Sequence, residues 1–356
     1  MEFQNIPVSP ASEAPPEVVN AFLKFVQQNP GMFMGKQVDL NQLKPAAQHM
    51  HFRCPNCDAT VLSGMEQCPQ CKASTRQTLK AGDVLQERYQ IESLMMRTGG
   101  FGNLYAVVDL ADGKRPLAMK QLQHGRQLHE KDRLLFEREG RILKALHHRS
   151  LPRFHDAFTL HGAQYLVMER IDGITIGNFM RAKGAFSEDQ TIALLPQMLE
   201  VLSFLHHLPT PVIHRDVKPG NFMITQDGHL YLIDFGAATD LDPQPVVLDP
   251  TGLPEDLTGV FTKGFCAPEI FLGGHSSPSS DLFALGGTLL FMLTAKHPFT
   301  HFDPLTSTYR VDELPVSAGL KPILRKLTAM HLSDRYQDAE EVLQDLLTAG
   351  FIRPNA

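Results

Sequence analysis

At 356 residues and 43% hydrophobic content, the chain can build one large domain or two ordinary ones around a sizeable core. A formal net charge of -6 gives it no bulk attraction for nucleic acid or anionic lipid. No apolar run reaches the roughly eighteen residues of a membrane span, and the opening MEFQNIPVSPASEAPPE lacks the basic start and apolar core of a signal peptide. The expectation is a cytoplasmic protein with no membrane partner, whose other partners must be argued from sites.

Residues 1–45 form the first expected unit. Polar, proline-rich composition up to Pro16 suits a leader, and then Val18, Val19, Phe22, Leu23 and Val26 recur at helical spacing until Pro30 ends the pattern. That spacing predicts a short amphipathic helix, which either packs on its own chain or docks another protein.

Residues 46–80 form the second. Cys54 and Cys57 flank Pro55 and Asn56, Cys68 and Cys71 flank Pro69 and Gln70, and ten residues separate the pairs. Each CPxC turn can aim two thiolates at one point, so four sulfurs can close a tetrahedron at about 2.3 Å around zinc. In a reducing compartment such a cluster favours metal over disulfides. A segment this short buries too little apolar surface to fold alone, whereas structural zinc supplies on the order of 10 kcal/mol of coupled folding energy. With four protein ligands the site is expected to be structural. Rubredoxin-like iron and redox-active thiols remain open on thiolate geometry alone. The module resembles zinc ribbons over this short segment only.

Beyond the cysteines, TLKAGDVLQERYQI changes to strand-like alternation near Tyr89. Between two strand-like runs lies Arg97-Thr98-Gly99-Gly100-Phe101-Gly102-Asn103-Leu104-Tyr105, whose glycines let backbone amides approach phosphate oxygens while Phe101 covers the tip. Next comes Leu117-Ala118-Met119-Lys120, a buried-strand pattern ending in a lysine that needs a partner; the following helical segment offers Glu139. Downstream, His214-Arg215-Asp216-Val217-Lys218-Pro219-Gly220-Asn221 precedes a strand, Tyr231-Leu232-Ile233 leads into Asp234-Phe235-Gly236, and Ala267-Pro268-Glu269 closes the series. Strand-rich sequence precedes helix-rich sequence throughout this part.

Taken in order, these strings resemble eukaryotic-like (Hanks-type) serine/threonine protein kinases from about Tyr89 to Leu347. The resemblance implies an α+β bilobal fold over 83–350, with a strand-rich N-lobe and a helical C-lobe. It implies that Lys120, held by Glu139, bridges the α- and β-phosphates of ATP, and that Asp216 accepts the proton of a protein Ser/Thr hydroxyl while Lys218 steadies the phosphoryl group. Asn221 and Asp234 would hold magnesium, for which manganese can substitute. Met96, Arg97, Gly99, Gly100, Phe101, Gly102, Leu104 and Ala118 would line the nucleotide pocket. Met168 would guard its rear, and Glu169 and Ile171 would present backbone groups to adenine. Lys218 and Thr262 resemble the serine/threonine branch. Asp281 and Arg335 match anchors of the helical lobe, with Arg335 expected to pair with Glu269.

The chain departs from the family at Arg97, where a glycine is usual; its side chain either projects to solvent or reaches phosphate or an acidic partner. Between Asp234 and Glu269 lie Asp240, Asp242, Asp249, Glu255 and Asp256 with Thr239, Thr251, Thr258 and Thr262. Either Thr258 or a neighbour is autophosphorylated to neutralise Arg215, or an acidic side chain stands in for phosphate. Cys266 reads as a small buried side chain, with a redox-sensitive thiol as the alternative. The pairs His147, His148 and His206, His207 read as helix-end and packing residues. The rival function is a pseudokinase scaffold that binds nucleotide and partners without catalysis. Retention of Lys120, Glu139, Asp216, Asn221 and Asp234 argues against it. The ribbon is a candidate dock for a protein, as is the N-terminal helix; Arg53, Lys72 and Arg76 are too few for a nucleic-acid role.

Overall fold

The computed structural model describes residues 51–53, 59–62, 69–71, 79–97, 102–122, 130–160, 163–240, 264–271 and 274–353. The expected helix over 17–30 and three of the four clustered cysteines lie outside the described residues. So do Thr98, Gly99, Gly100 and Phe101, and residues 241–263, which hold Thr251, Thr258 and Thr262.

Two short strands come first: β1 (His51–Arg53) pairs antiparallel with β2 (Thr60–Leu62). The strand-rich lobe then uses β3 (Val84–Leu85), β4 (Tyr89–Arg97), β5 (Asn103–Asp109), β6 (Arg115–Leu122), β7 (Phe154–Leu160) and β8 (Ala163–Glu169). They form one antiparallel sheet in the order β3-β4-β5-β6-β8-β7. Cross-strand partners share a face, so the pairs Leu104↔Lys120, Ala106↔Ala118, Ala118↔Met168 and Met96↔Leu104 put these side chains on one side of the sheet. The opposite side carries Tyr89, Ile91, Tyr105, Val107, Leu117, Met119, Tyr165 and Val167, which make a separate core.

Helix α1 (Glu130–Ala145) crosses the cleft side of the sheet. Phe136, Glu139, Ile142 and Leu143 fall at helical spacing and are all buried. Glu139 therefore lies on an apolar stripe, 3% exposed, where a lone carboxylate would be costly. Leu122 and Leu166 join this stripe to the core of the helical lobe, so the two lobes share one continuous apolar contact.

That helical lobe contains α2 (Ile176–Lys183), α3 (Glu188–His206), the single-turn α4 (Pro268–Phe271), α5 (Pro278–Thr294), α6 (Leu320–Leu327) and α7 (Ala339–Thr348). Helix α3 starts in a capping box, Ser187 with Gln190, in which two otherwise unpaired end groups satisfy each other. Helix α5 is apolar nearly all round and is buried along most of its length, as a central helix must be. Three short strands, β9 (Gly173–Thr175), β11 (Phe222–Thr225) and β12 (Leu230–Leu232), form a small sheet beneath the cleft, in the order β12-β11-β9; β10 (Val212–Ile213) pairs with β13 (Thr239–Asp240). Among the described residues no helix is long and apolar enough to cross a membrane.

Candidate active site

Lys120, at the cleft end of β6, meets two carboxylates. Its Nζ donates to Glu139 Oε1 and Oε2 at 2.7 and 2.8 Å and to Asp234 Oδ1 at 2.9 Å. Burial works against the Lys120 charge, yet Asp234 and Glu139 together raise its pKa above the ordinary lysine value. Burial pushes Glu139 up, opposed by the lysine. The Lys120 ammonium holds the Asp234 carboxyl at about 2, against the pull of burial. The sign follows: a carboxyl lowered in the folded state contributes stability above its unfolded range, lost only as the pH falls toward about 2. The carboxyl carbon of Asp234 is therefore expected to show a flat chemical shift from about pH 8 to about pH 4; a titration step inside that window would mean the contact with Lys120 is not kept.

Gly102, the last glycine of the stretch 97–102, lies against β6. Its φ is +135°, and a Cβ there would lie 1.8 Å from the Gln121 carbonyl oxygen, a backbone atom that cannot swing aside. A Gly102→Ala variant is expected to lose about 1–3 kcal/mol in a urea titration. Strand β4 reaches the turn through two bulges, since its pairing with β5 skips Glu92 and Met95. Glu92 uses the freed position to pair with Arg170, at 2.6 Å, on the segment linking the lobes. Arg97 ends β4 opposite Asn103.

Below the cleft, the loop from His214 to Asn221 joins β10 to β11. Asp281, fully buried near the start of α5, accepts from the backbone amides of His214 and Arg215, each at 2.8 Å, and lies 2.9 Å from His206 Nε2. These bonds hold Arg215 at φ +65°, a left-handed conformation that a non-glycine residue keeps only under constraint. Asp234 is held likewise at φ +66°. The Arg215 side chain donates from Nε to Ser276 Oγ at 2.9 Å. His214, buried and with its pKa lowered by that burial, packs edge-on against Phe235 at 5.0 Å between ring centres.

Asp216 lies 2.6 Å from Lys218 Nζ and accepts from Asn221 Nδ2 at 2.9 Å. The Asn221 carbonyl oxygen accepts from the Ile233 amide at 2.8 Å, which sets Asp234 beside the loop. With its amide nitrogen spent on Asp216, Asn221 turns Oδ1 the other way; among the described residues neither that oxygen nor Asp234 Oδ2 takes a hydrogen bond. Two such oxygens fit a hard divalent cation of the magnesium class.

The structure thus brings Lys120, Glu139, Asp234, Asn221, Asp216 and Lys218 together, with Met96, Leu104, Ala118 and Met168 on the roof. Glu169 uses its amide on the Arg153 carbonyl, and Ile171 follows in the linker, half-buried. Sequence reasoning missed Ser276 as the partner of Arg215 and His206 as a contact of Asp281; the reading of His206 as a helix-end and packing residue agrees with its burial at the end of α3, but nothing in its neighbourhood along the chain signals Asp281. Cys266 is buried, and burial raises its thiol well above the ordinary range. Arg335 and Glu269 pair through two parallel bonds of 2.9 and 3.0 Å.

The chain is similar to known proteins along most of this length. Serine/threonine-protein kinase F of Synechocystis sp. is 34% identical over 70% of the chain. The probable serine/threonine-protein kinase YbdM of Bacillus subtilis is 30% identical over 75% of the chain and 91% of its own length. The chain spans about half the length of several curated relatives: 53% of the Synechocystis protein and 43% of the probable kinase PknB of Lactococcus lactis. A solved kinase domain, a double mutant of Mycobacterium tuberculosis PknI, superposes with a TM-score of 0.59 at 21% identity; the match covers 77% of this chain and 99% of that one, and it speaks for the fold. The family model described as "Protein kinase domain" matches residues 94–349, and the chain belongs to that family.

Proposed function

We propose that the chain is a serine/threonine protein kinase, moving the γ-phosphoryl group of ATP to Ser or Thr hydroxyls of proteins and to its own threonines. One observation carries the reading: Lys120, Asp216, Asn221 and Asp234 converge on a single cleft from three separate stretches of chain. Asp216 accepts the proton of the attacking hydroxyl as its oxygen bonds to the γ-phosphorus, and the bond from that phosphorus to the bridging oxygen of ADP breaks. Lys120 neutralises the α- and β-phosphates, and Lys218 the group in transit. Asn221 and Asp234 would hold magnesium, which would shield the phosphate charge. Met96, Leu104, Ala118 and Met168 enclose the adenine, with Glu169 and Ile171 supplying backbone groups and 97–102 covering the phosphates. Labelled ATP, magnesium and a basic peptide bearing one Ser or one Thr test this beside Asp216→Ala. Equal labelling by both chains, or transfer only to a tyrosine peptide, refutes it.

The finer organisation belongs to the same proposal: a leader with a short helix over 1–45, a zinc ribbon over 46–80 and the catalytic domain over 83–350. Two features support the ribbon. Strands β1 and β2 pair antiparallel, with Cys54 and Cys57 between them in the sequence, and Cys71 ends a turn at 69–71. Purified protein is expected to carry about one zinc per chain by elemental analysis, lost in Cys54→Ser. Iron at that stoichiometry instead would make the module rubredoxin-like. The ribbon or the N-terminal helix then serves as the dock for a protein partner.

A further inference from the structure

The sheet that roofs the cleft has a second face, and its core is not wholly apolar. Asn103 Nδ2 donates to the Tyr105 hydroxyl at 2.8 Å, that hydroxyl donates to Gln121 Oε1 at 3.2 Å, and Gln121 Nε2 donates to the Tyr165 hydroxyl at 3.2 Å. None of the four residues is more than 4% exposed. A buried polar chain is tolerated when its members satisfy one another, and it then holds its attachment points rigidly. Those attachment points are informative. Asn103 follows Gly102 at the base of the glycine-rich turn, Gln121 follows Lys120, and the Gln121 carbonyl is the atom against which Gly102 is fitted.

Among the described residues, the Tyr105 hydroxyl also meets a partner from outside the sheet. It accepts the backbone amide of Leu79 at 3.3 Å, and the Leu79 side chain packs on the same core. Leu79 lies on the stretch that joins the cysteine module to the first strand of the lobe. One phenol therefore touches the connection from the N-terminal module, the base of the phosphate-covering turn and the strand that carries Lys120.

We propose that Tyr105 is a positioning residue for the nucleotide site, fixing the turn at 102 relative to Lys120, and that the segment at Leu79 acts on the site through it. The role rests on the phosphotransfer reading above. Because the hydroxyl lies on the far face of the sheet, it touches neither nucleotide nor substrate; its effect is on where the turn and the lysine sit.

The test uses the full chain and the Tyr105→Phe variant, which keeps the ring and removes only the hydroxyl. The KM for ATP is expected to rise about fivefold with kcat changed less than about twofold. Amide hydrogen exchange of the nucleotide-free protein should rise over 102–105 and 120–122. Leu79→Pro removes the donor from the other side and should shift KM the same way. The double variant should do little more than either single one, as expected for one shared connection. An unchanged KM and unchanged exchange at both segments, with only a lower unfolding midpoint, would show Tyr105 to be packing alone and overturn the proposal. If the parent chain transfers no more phosphate than Asp216→Ala, the kinase reading falls instead. Exchange then decides the positioning role by itself: a rise at both segments supports it, and no rise there overturns it.

Discussion

Asp216→Asn is expected to lower kcat for a peptide substrate about 10³-fold while leaving equilibrium binding of magnesium-ATP within about threefold. The asparagine keeps the shape of the side chain and its acceptor oxygen, so the bond from Asn221 Nδ2, now 2.9 Å, can persist. What disappears is the capacity to take a proton. In the parent chain the Asp216 carboxyl lies 2.6 Å from Lys218 Nζ, and its side chain is only 11% exposed. A carboxylate in that setting is oriented by its neighbours before substrate arrives, which is the condition for an effective general base. In the proposed function the nucleotide is held from the opposite wall, by Lys120 and the sheet face of Leu104 and Ala118, and not through Asp216. A split between kcat and nucleotide affinity should follow, read from steady-state rates and calorimetry. A variant that keeps a third or more of the parental kcat would remove Asp216 from the chemistry, and with it the assignment of the loop.

The convergence of the site's charged groups was legible in the sequence because each group sits in a short string whose residue types are costly anywhere else. A lysine ending an apolar strand pattern demands a carboxylate, and Glu139 lies on the buried stripe of the next helix, where the two meet at 2.7 Å. Arg335 and Glu269 were legible in the same way. The roof was legible only as a set of positions: that Met96, Leu104, Ala118 and Met168 share a face depends on the order β4-β5-β6-β8, and strand order is not written in any local pattern. The bulges at Glu92 and Met95 were illegible for a related reason. They appear only when nine residues of β4 are fitted to seven of β5. The contacts of Asp281 with His206, and of Tyr105 with Leu79, span 75 and 26 residues, and a single sequence carries no signal that couples positions so far apart.

The second large effect concerns stability and comes from the buried pair formed by Arg335 and Glu269. Arg335 and Glu269 have side chains 1% and 4% exposed. The guanidinium also donates to the carbonyls of Ala329 and Met330 and lies 4.6 Å from the Phe283 ring centre, while Glu269 accepts from Ser280 Oγ at 2.7 Å. Removing one partner leaves the other charged, dry and unpaired. Arg335→Met is therefore expected to lose about 3–5 kcal/mol of unfolding free energy in urea. Its melting temperature should fall by roughly 10 °C for a domain of this size. Removing both charges should cost less than removing one: Arg335→Met combined with Glu269→Leu should recover more than half of that loss, because desolvation of the stranded carboxylate is the larger part of it. Activity should not recover in step. Glu269 ties the helix at 268–271 to both α5 and the loop before α7, and an apolar replacement restores burial without restoring those directed bonds. Stability regained with kcat/KM for peptide still depressed is thus the expected pattern for the double variant. A single variant that loses less than about 1 kcal/mol would mean that water reaches the pair, contrary to its burial.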